Sequence, residues 1–195
     1  MHELYCAGHL IEAGVAFFQA TSKRRLLEVA CRLADHIDSV FGPDDNQLHG
    51  YPGHPEIELA LMRLYDVTQE PRYMALANYF VEQRGTQPHF YDIEYEKRGK
   101  TSFWNTYGPA WMVMDKPYSQ AHLPLAEQTT AVGHAVRFVY LMAGVAHLAR
   151  LSKNEGKRRI ACGYGKTWSS VSCILRAALA HRAAGKLQQR LRPAE

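Results

Sequence analysis

Residues 133–148 of this chain read GHAVRFVYLMAGVAHL: a Gly-His pair, followed by apolar residues at the three- and four-residue spacing of a helix. The apolar pattern breaks near residues 152–156, where the sequence reads SKNEG. A glycine just before a helix lets the backbone turn sharply. The histidine after it then projects from the first helical turn, where peptide N–H groups are still unpaired. The stretch therefore predicts a helix with a histidine at its start.

Two earlier stretches share this pattern of a Gly-His pair, an apolar helical run, a break and a second helical run. Their first runs, breaks and second runs are residues 10–18, 21–22 and 26–37, and then residues 55–64, 68–71 and 73–81. Each unit is predicted to be a helical hairpin, and the chain repeats the unit three times. Hairpins repeated in this way stack side by side, closing into a toroid or extending as a solenoid. The fold class is therefore predicted to be all-α.

The histidines of the three Gly-His pairs are candidate site residues: His9, His54 and His134. Because each is predicted to open the first helix of its hairpin, all three are expected on one rim of the stacked hairpins. A single histidine in such a place more often caps a helix or fills a gap in the core. Three in equivalent positions make a shared polar pocket about as good an interpretation.

The segment from residue 85 to residue 125 is too long for an ordinary connection and is rich in aromatic residues. These are Phe90, Tyr91, Tyr95, Phe103, Trp104, Tyr107, Trp111 and Tyr118. Aromatic rings stack on the apolar faces of sugars, so together with the histidines the segment suggests a carbohydrate cleft. The alternative is that the rings cover the open end of the helical core, and the pattern does not choose between the two.

The charge distribution argues against a nucleic-acid partner. The formal net charge is +4, but residues 150–195 carry +9 and the preceding residues carry −5. The body of the chain is therefore mildly acidic, and the sequence shows no interleaving of basic and aromatic residues typical of nucleic-acid binding.

The apolar runs and the spacing of the cysteines indicate where in the cell the protein is expected. No apolar stretch approaches the roughly 20 residues that span a bilayer, and no secretory leader is recognisable, so no membrane partner is expected. The four cysteines, Cys6, Cys31, Cys162 and Cys173, form no Cys-x-x-Cys pair that would suggest a zinc ribbon or a redox site. A cytoplasmic location is the expectation.

Four strings of this sequence closely resemble glycoside hydrolase family 127, the β-L-arabinofuranosidases. They are ELYCAGHLIEA at residues 3–13, GYPGHPEIELAL at 50–61, QAHLP at 120–124 and GHAVR at 133–137. The resemblance runs from about residue 3 to about residue 158. It implies a six-hairpin (α/α) toroid, of which this chain would be a part, normally followed by β-sandwich domains. It also implies that His9, His54 and His134 line the sugar-binding pocket.

The resemblance further implies a retaining hydrolysis in which a cysteine thiolate held by zinc attacks the anomeric carbon and a glutamate acts as acid and base. Neither Cys6 nor Cys31 occupies a matching motif, and Cys162 and Cys173 fall beyond the matched region, so no catalytic residue and no metal ligand is assigned. No cofactor is expected in this chain, although zinc is implied for the intact family. The candidate pocket carboxylates are Glu12, Glu56, Glu58 and Glu127. Each of them also fits a helix-end or surface charge.

Two regions are expected: residues 1–158 as a fragment of the catalytic domain, and residues 159–195 as an aberrant tail. A frameshift near residues 159–163 would account for the tail, with true divergence as the alternative. The chain is also expected to start late within the toroid and to be inactive on its own. The competing class is a non-catalytic helical-repeat module that binds a carbohydrate or a protein. The sequence predicts no oligomeric state.

Overall fold

The structure, a computed structural model, describes residues 2–101 and 111–164. Its helices are α1 (Glu3–Thr21), α2 (Arg25–Val40), α3 (Ile57–Thr68), α4 (Pro71–Gln83), α5 (Phe90–Lys97), α6 (Trp111–Met114) and α7 (Ala135–Ser152). Residues 155–164 are also helical. Short 3-10 turns cover Lys116–Ser119 and Leu125–Glu127. Over the described residues no β-strand forms, and the all-α prediction is confirmed.

The first helices of the three hairpins lie side by side. Helix α3 packs against α1 on one side and against α7 on the other, while α2 and α4 pack behind α1 and α3. Wholly buried aliphatic residues join these helices, among them Ile11, Leu61 and Leu141. The third hairpin pairs α7 with residues 155–164, where the rings of Phe138 and Tyr164 lie 5.1 Å apart. This is the packing expected of one arc of the predicted toroid.

The three hairpin turns share one geometry. Each first helix closes with a hydroxyl that donates to the carbonyl four residues earlier, at 2.7 Å for Thr21, 2.7 Å for Thr68 and 2.6 Å for Ser152. The next residue, Ser22, Gln69 or Lys153, has a left-handed backbone with φ near +60°. A left-handed residue at this point ends a helix and reverses the chain. The feature that the three hairpins share most closely is therefore the turn between their two helices.

The Gly-His pairs, in contrast, are not equivalent. His9, His54 and His134 lie 12, 14 and 18 residues before the closing Thr or Ser of their hairpins. Gly8 and His9 lie inside α1, and His54 lies three residues before the first residue of α3, Ile57. The prediction that every histidine projects from the first turn of its helix is therefore wrong for the first two pairs. Gly133 behaves as predicted, with φ +76° just before His134, the N-cap residue of α7.

Glycine at position 8 has another explanation. A Cβ built there would lie 1.5 Å from Oε2 of Glu56 and 3.0 Å from Cα of Ile57, so the buried carboxyl fills the space that a side chain would take. Gly8 therefore allows α1 to approach the start of α3, and its role is close packing rather than a turn.

The long aromatic segment divides between core and site. Tyr91 at the start of α5 is buried, and its ring centroid lies 5.1 Å from that of Tyr51, so it covers the core as the second interpretation holds. Tyr118 instead faces His134. Phe103, Trp104 and Tyr107 lie outside the described residues.

Residues 159–164, where the predicted tail begins, continue the last helix, and Tyr164 is buried. The rest of that region, residues 165–195, lies outside the described residues, as does Cys173. None of the described helices is both long enough and apolar enough to cross a membrane.

Candidate sugar-binding site

A buried arginine at the end of α4 holds together the segments that carry the site. Arg84 donates through Nη1 to the Ser119 carbonyl at 3.0 Å and through Nη2 to the Pro52 carbonyl at 2.9 Å. Its Nη2 also contacts Oε1 of Glu58 at 3.1 Å, and both side chains are almost completely buried. Because a buried charge must be paired to be tolerated, Arg84 and Glu58 depend on each other.

A second buried arginine, Arg137 on the first turn of α7, joins two of the histidines. Its Nη1 donates to the Gly53 carbonyl, just before His54, and to Oγ of Ser119 at 3.2 Å. Its guanidinium lies 5.0 Å from the ring centroid of Tyr118. The Tyr118 ring in turn lies 5.1 Å from that of His134. Arg137 therefore helps to position both histidines: His54 through the Gly53 carbonyl, and His134 through the Tyr118 ring.

The three predicted histidines converge, although they occupy different positions in their hairpins. The rings of His54 and His134 lie 6.5 Å apart. His9 approaches them across Tyr5, whose ring centroid is 4.5 Å from that of His9 and 4.4 Å from that of His54. Tyr140 on α7 closes the group, 5.9 Å from His9 and 6.0 Å from His54. Imidazole and phenol groups from three hairpins thus surround one spot.

Burial keeps His54 neutral. Its Nδ1 lies 2.7 Å from the Pro55 carbonyl, which can only accept, so Nδ1 carries the proton and Nε2 keeps a lone pair. Desolvation lowers the pKa of His54 to about 4. At neutral pH this side chain can accept a hydrogen bond at Nε2.

Two of the four candidate carboxylates join the histidines. Nδ1 of His9 lies 3.8 Å from Oε2 of Glu12 and 3.7 Å from Oε1 of Glu56. Burial, with the neighbouring Glu12 carboxyl adding to it, raises the pKa of Glu56 to about 9. The other two candidates lie elsewhere: Glu58 pairs with Arg84, and Glu127 is exposed on a 3-10 turn.

The sequence interpretation missed Tyr5, Tyr140 and Arg137. A signal for Tyr140 was present, because it lies twelve residues before Ser152, as His9 lies before Thr21 and Glu56 before Thr68. Aligning the repeats on their closing Thr or Ser would have brought these three positions together. Tyr5 and Arg137 carry no comparable repeat signal.

The cysteines do not complete a metal site with these groups. In the described part of the chain Cys6, Cys31 and Cys162 are free thiols, and the group of three ligand-type side chains that come close enough to share an ion is His9, Glu12 and Glu56. A zinc ion held by thiolates, as the resemblance implies, does not fit this donor set.

Acid is expected to weaken the fold through His89, which ties α5 to the loop before α7. Its Nε2 lies 2.7 Å from the Ala121 carbonyl and its Nδ1 accepts from the Tyr91 N–H, so both nitrogens are committed to the neutral form. Burial lowers the pKa of His89 below 6.5. Between that lowered value and 6.5 the unfolded chain binds a proton that the folded chain does not, so stability falls as the pH falls through this window.

Thermal unfolding, measured from about pH 7.5 to about pH 5.5, checks the predicted loss of stability toward acid. The melting temperature should decline toward acid, and the decline should be shallower in His89→Gln. His49→Gln, a substitution at an exposed histidine, is the matched control. Equal slopes in all three proteins would contradict the assignment to His89.

A family model described as the β-L-arabinofuranosidase GH127 catalytic domain matches residues 1–170. A non-reducing end β-L-arabinofuranosidase from Bifidobacterium longum subsp. longum is 45% identical over 156 residues. That match covers 80% of this chain and 23% of the relative, so the chain spans about a quarter of the relative's length.

Two solved structures show the same similarity. A GH127 β-L-arabinofuranosidase from Geobacillus stearothermophilus T6 is 49% identical with a TM-score of 0.75, over 83% of this chain and 25% of that one. A GH127 β-arabinofuranosidase is 35% identical with a TM-score of 0.64, over 82% of this chain and 21% of that one.

Proposed function

This chain belongs to the GH127 β-L-arabinofuranosidase family, and from that membership we propose that it binds the terminal sugar of a β-L-arabinofuranoside. The sugar ring lies against His9, His54 and His134. The observation that carries the proposal is the convergence of these histidines, from three different hairpins, around the rings of Tyr5 and Tyr140.

The donors and acceptors of the cluster suit a sugar. Nε2 of His54 can accept from a hydroxyl, and the partly exposed ring of His134 lies 6.5 Å from that of His54. The aromatic rings offer faces for the apolar C–H side of the ring. A few fixed polar groups beside aromatic walls are typical of small-ligand sites.

Hydrolysis in the family requires a nucleophile and an acid/base catalyst, and no described residue is assigned to either role. The proposed role of this chain is therefore to bind the terminal sugar. Its histidines orient the sugar, and its tyrosines exclude water from one face of the sugar ring. Binding without turnover is the expected behaviour of the isolated chain.

The test is a titration of the chain with methyl β-L-arabinofuranoside, followed by calorimetry or NMR shifts, with methyl β-D-galactopyranoside as the control sugar. Release of p-nitrophenol from the matching aryl arabinofuranoside is measured with and without added zinc. Saturable binding of the arabinofuranoside without release supports the proposal. Equal affinity for both sugars contradicts it, and release contradicts the restriction to binding.

A histidine substitution sharpens the test. His134→Ala should weaken arabinofuranoside binding about two- to tenfold, the equivalent of one lost hydrogen bond. His147→Ala on the same helix is the matched control, because His147 contacts Asp66 and Arg150 and lies outside the cluster. Equal losses in the two variants would mean that His134 does not touch the sugar.

A cytoplasmic location is part of the proposal. It is supported by the free thiols of Cys6, Cys31 and Cys162, since an oxidising compartment favours paired cysteines. Fractionation of cells that express the tagged chain tests it.

A further inference from the structure

Glu56 has a buried carboxyl group without a hydrogen-bond partner. The residue is completely buried, and neither Oε1 nor Oε2 is hydrogen-bonded. A buried carboxyl group left in this state costs free energy unless a cation or a proton compensates it. The Glu56 carboxyl group therefore requires a cation or a proton next to it.

The position of the carboxyl is fixed from two sides. The backbone N–H of Glu56 donates to Oε2 of Glu58 at 3.0 Å, and Glu58 is itself held by Arg84. On the other side, the absent side chain of Gly8 leaves the space that Oε2 of Glu56 enters. The carboxyl is thereby aimed at the first helix, toward His9 and Glu12.

We propose that His9, Glu12 and Glu56 bind one divalent cation of the Mn²⁺ or Zn²⁺ class. One ligand atom from each lies within 4.8 Å of the others, so small side-chain shifts bring all three to the 2.0–2.6 Å at which such ions are held. One imidazole nitrogen with two carboxylates suits a first-row divalent ion. The site contains no thiolate and is thus distinct from the zinc centre that the resemblance implies.

Neighbouring side chains support this donor set. Arg63 contacts Oε1 of Glu12 at 2.9 Å, which leaves Oε2 facing His9 and fixes the orientation of this ligand. Contacts of this outer kind commonly orient metal ligands. The ring of Tyr140 lies 5.9 Å from that of His9, so the remaining coordination positions face the proposed sugar site. Water or a sugar hydroxyl would complete the coordination there.

The experiment measures Mn²⁺ binding to the full chain by equilibrium dialysis and elemental analysis. Mn²⁺ is the probe because thiols, which this chain also carries, compete much less for it than for Zn²⁺. We expect one Mn²⁺ per chain, weakened at least about tenfold in Glu56→Gln and unchanged in Glu28→Gln, an exposed carboxylate on α2. Circular dichroism establishes that each variant is folded.

A spectroscopic measurement on the unchanged protein makes the test independent of variant folding. Pulsed EPR of the Mn²⁺-loaded chain should show coupling to an imidazole nitrogen, and His9→Gln should remove it. Absence of saturable binding up to about 1 mM, absence of nitrogen coupling, or equal affinity in Glu56→Gln would each overturn the proposal. In those cases a proton is what compensates the buried carboxyl.

Discussion

Replacing Arg84 with methionine is expected to lower the free energy of unfolding by about 3–5 kcal/mol. The substitution removes the guanidinium but not the buried charge of Glu58. It also leaves the Ser119 carbonyl without its donor, and the Pro52 carbonyl with only the Tyr91 hydroxyl at 3.3 Å. Loss of one partner of a buried ion pair is among the most destabilising single changes, because the other partner keeps its desolvation cost. Denaturant unfolding of the two proteins measures the difference.

Two further variants separate this explanation from a simple loss of packing. Adding Glu58→Gln to Arg84→Met should recover part of the lost stability, since the uncompensated charge is then gone. Arg72→Met is the matched control, because its ion pairs with Asp35 and Glu70 are exposed to solvent and contribute little to stability. If Arg84→Met cost no more than Arg72→Met, the buried pair would not be holding these segments together.

Replacing Gly133 with alanine should cost about 2–4 kcal/mol and also weaken sugar binding. The residue has φ +76°, which strains any side chain, and a Cβ there would lie 2.1 Å from the Pro117 carbonyl oxygen. Backbone on both sides would have to move. Since His134 follows directly and Tyr118 follows Pro117, the displacement reaches the site as well as the fold.

Gly99→Ala is a closely matched control. Gly99 also has a positive φ, +65°, but nothing lies within 4 Å of its built Cβ. It should show the strain alone, about 1–2 kcal/mol, and no change in sugar affinity. Chemical denaturation and a sugar titration of both variants provide the comparison, and equal effects at the two glycines would show that the contact with Pro117 is unimportant.

Much of the fold could be predicted because the hairpin helices carry regular apolar spacing. Residues such as Leu61 and Leu141 recur at helical intervals, and Pro71 occupies the first turn of α4, where proline is expected. The register of the repeat could not be predicted from the Gly-His pairs, because glycine is used for close packing at position 8 and for a turn at position 133. One residue pattern thus arises from two unrelated causes.

The candidate site was only partly accessible to sequence reasoning. The sequence predicts His9, His54 and His134 as site residues, and in the structure their rings lie close together, with Tyr5 between His9 and His54. The partners that hold them depend on contacts between distant segments, such as that of Arg137 with the Gly53 carbonyl, 84 positions apart in the chain. Likewise Glu58 and Glu56 are two residues apart but face different partners, a difference that spacing alone does not encode.

Because α1 approaches Glu56 closely at Gly8, the residue types at positions 8 and 56 constrain each other. A larger residue at position 8 requires a shorter side chain at position 56, and a shorter side chain at 56 leaves space beside position 8. Their effects are therefore non-additive. Chimaeras that join α1 of one family member to α3 of another should exchange both positions together.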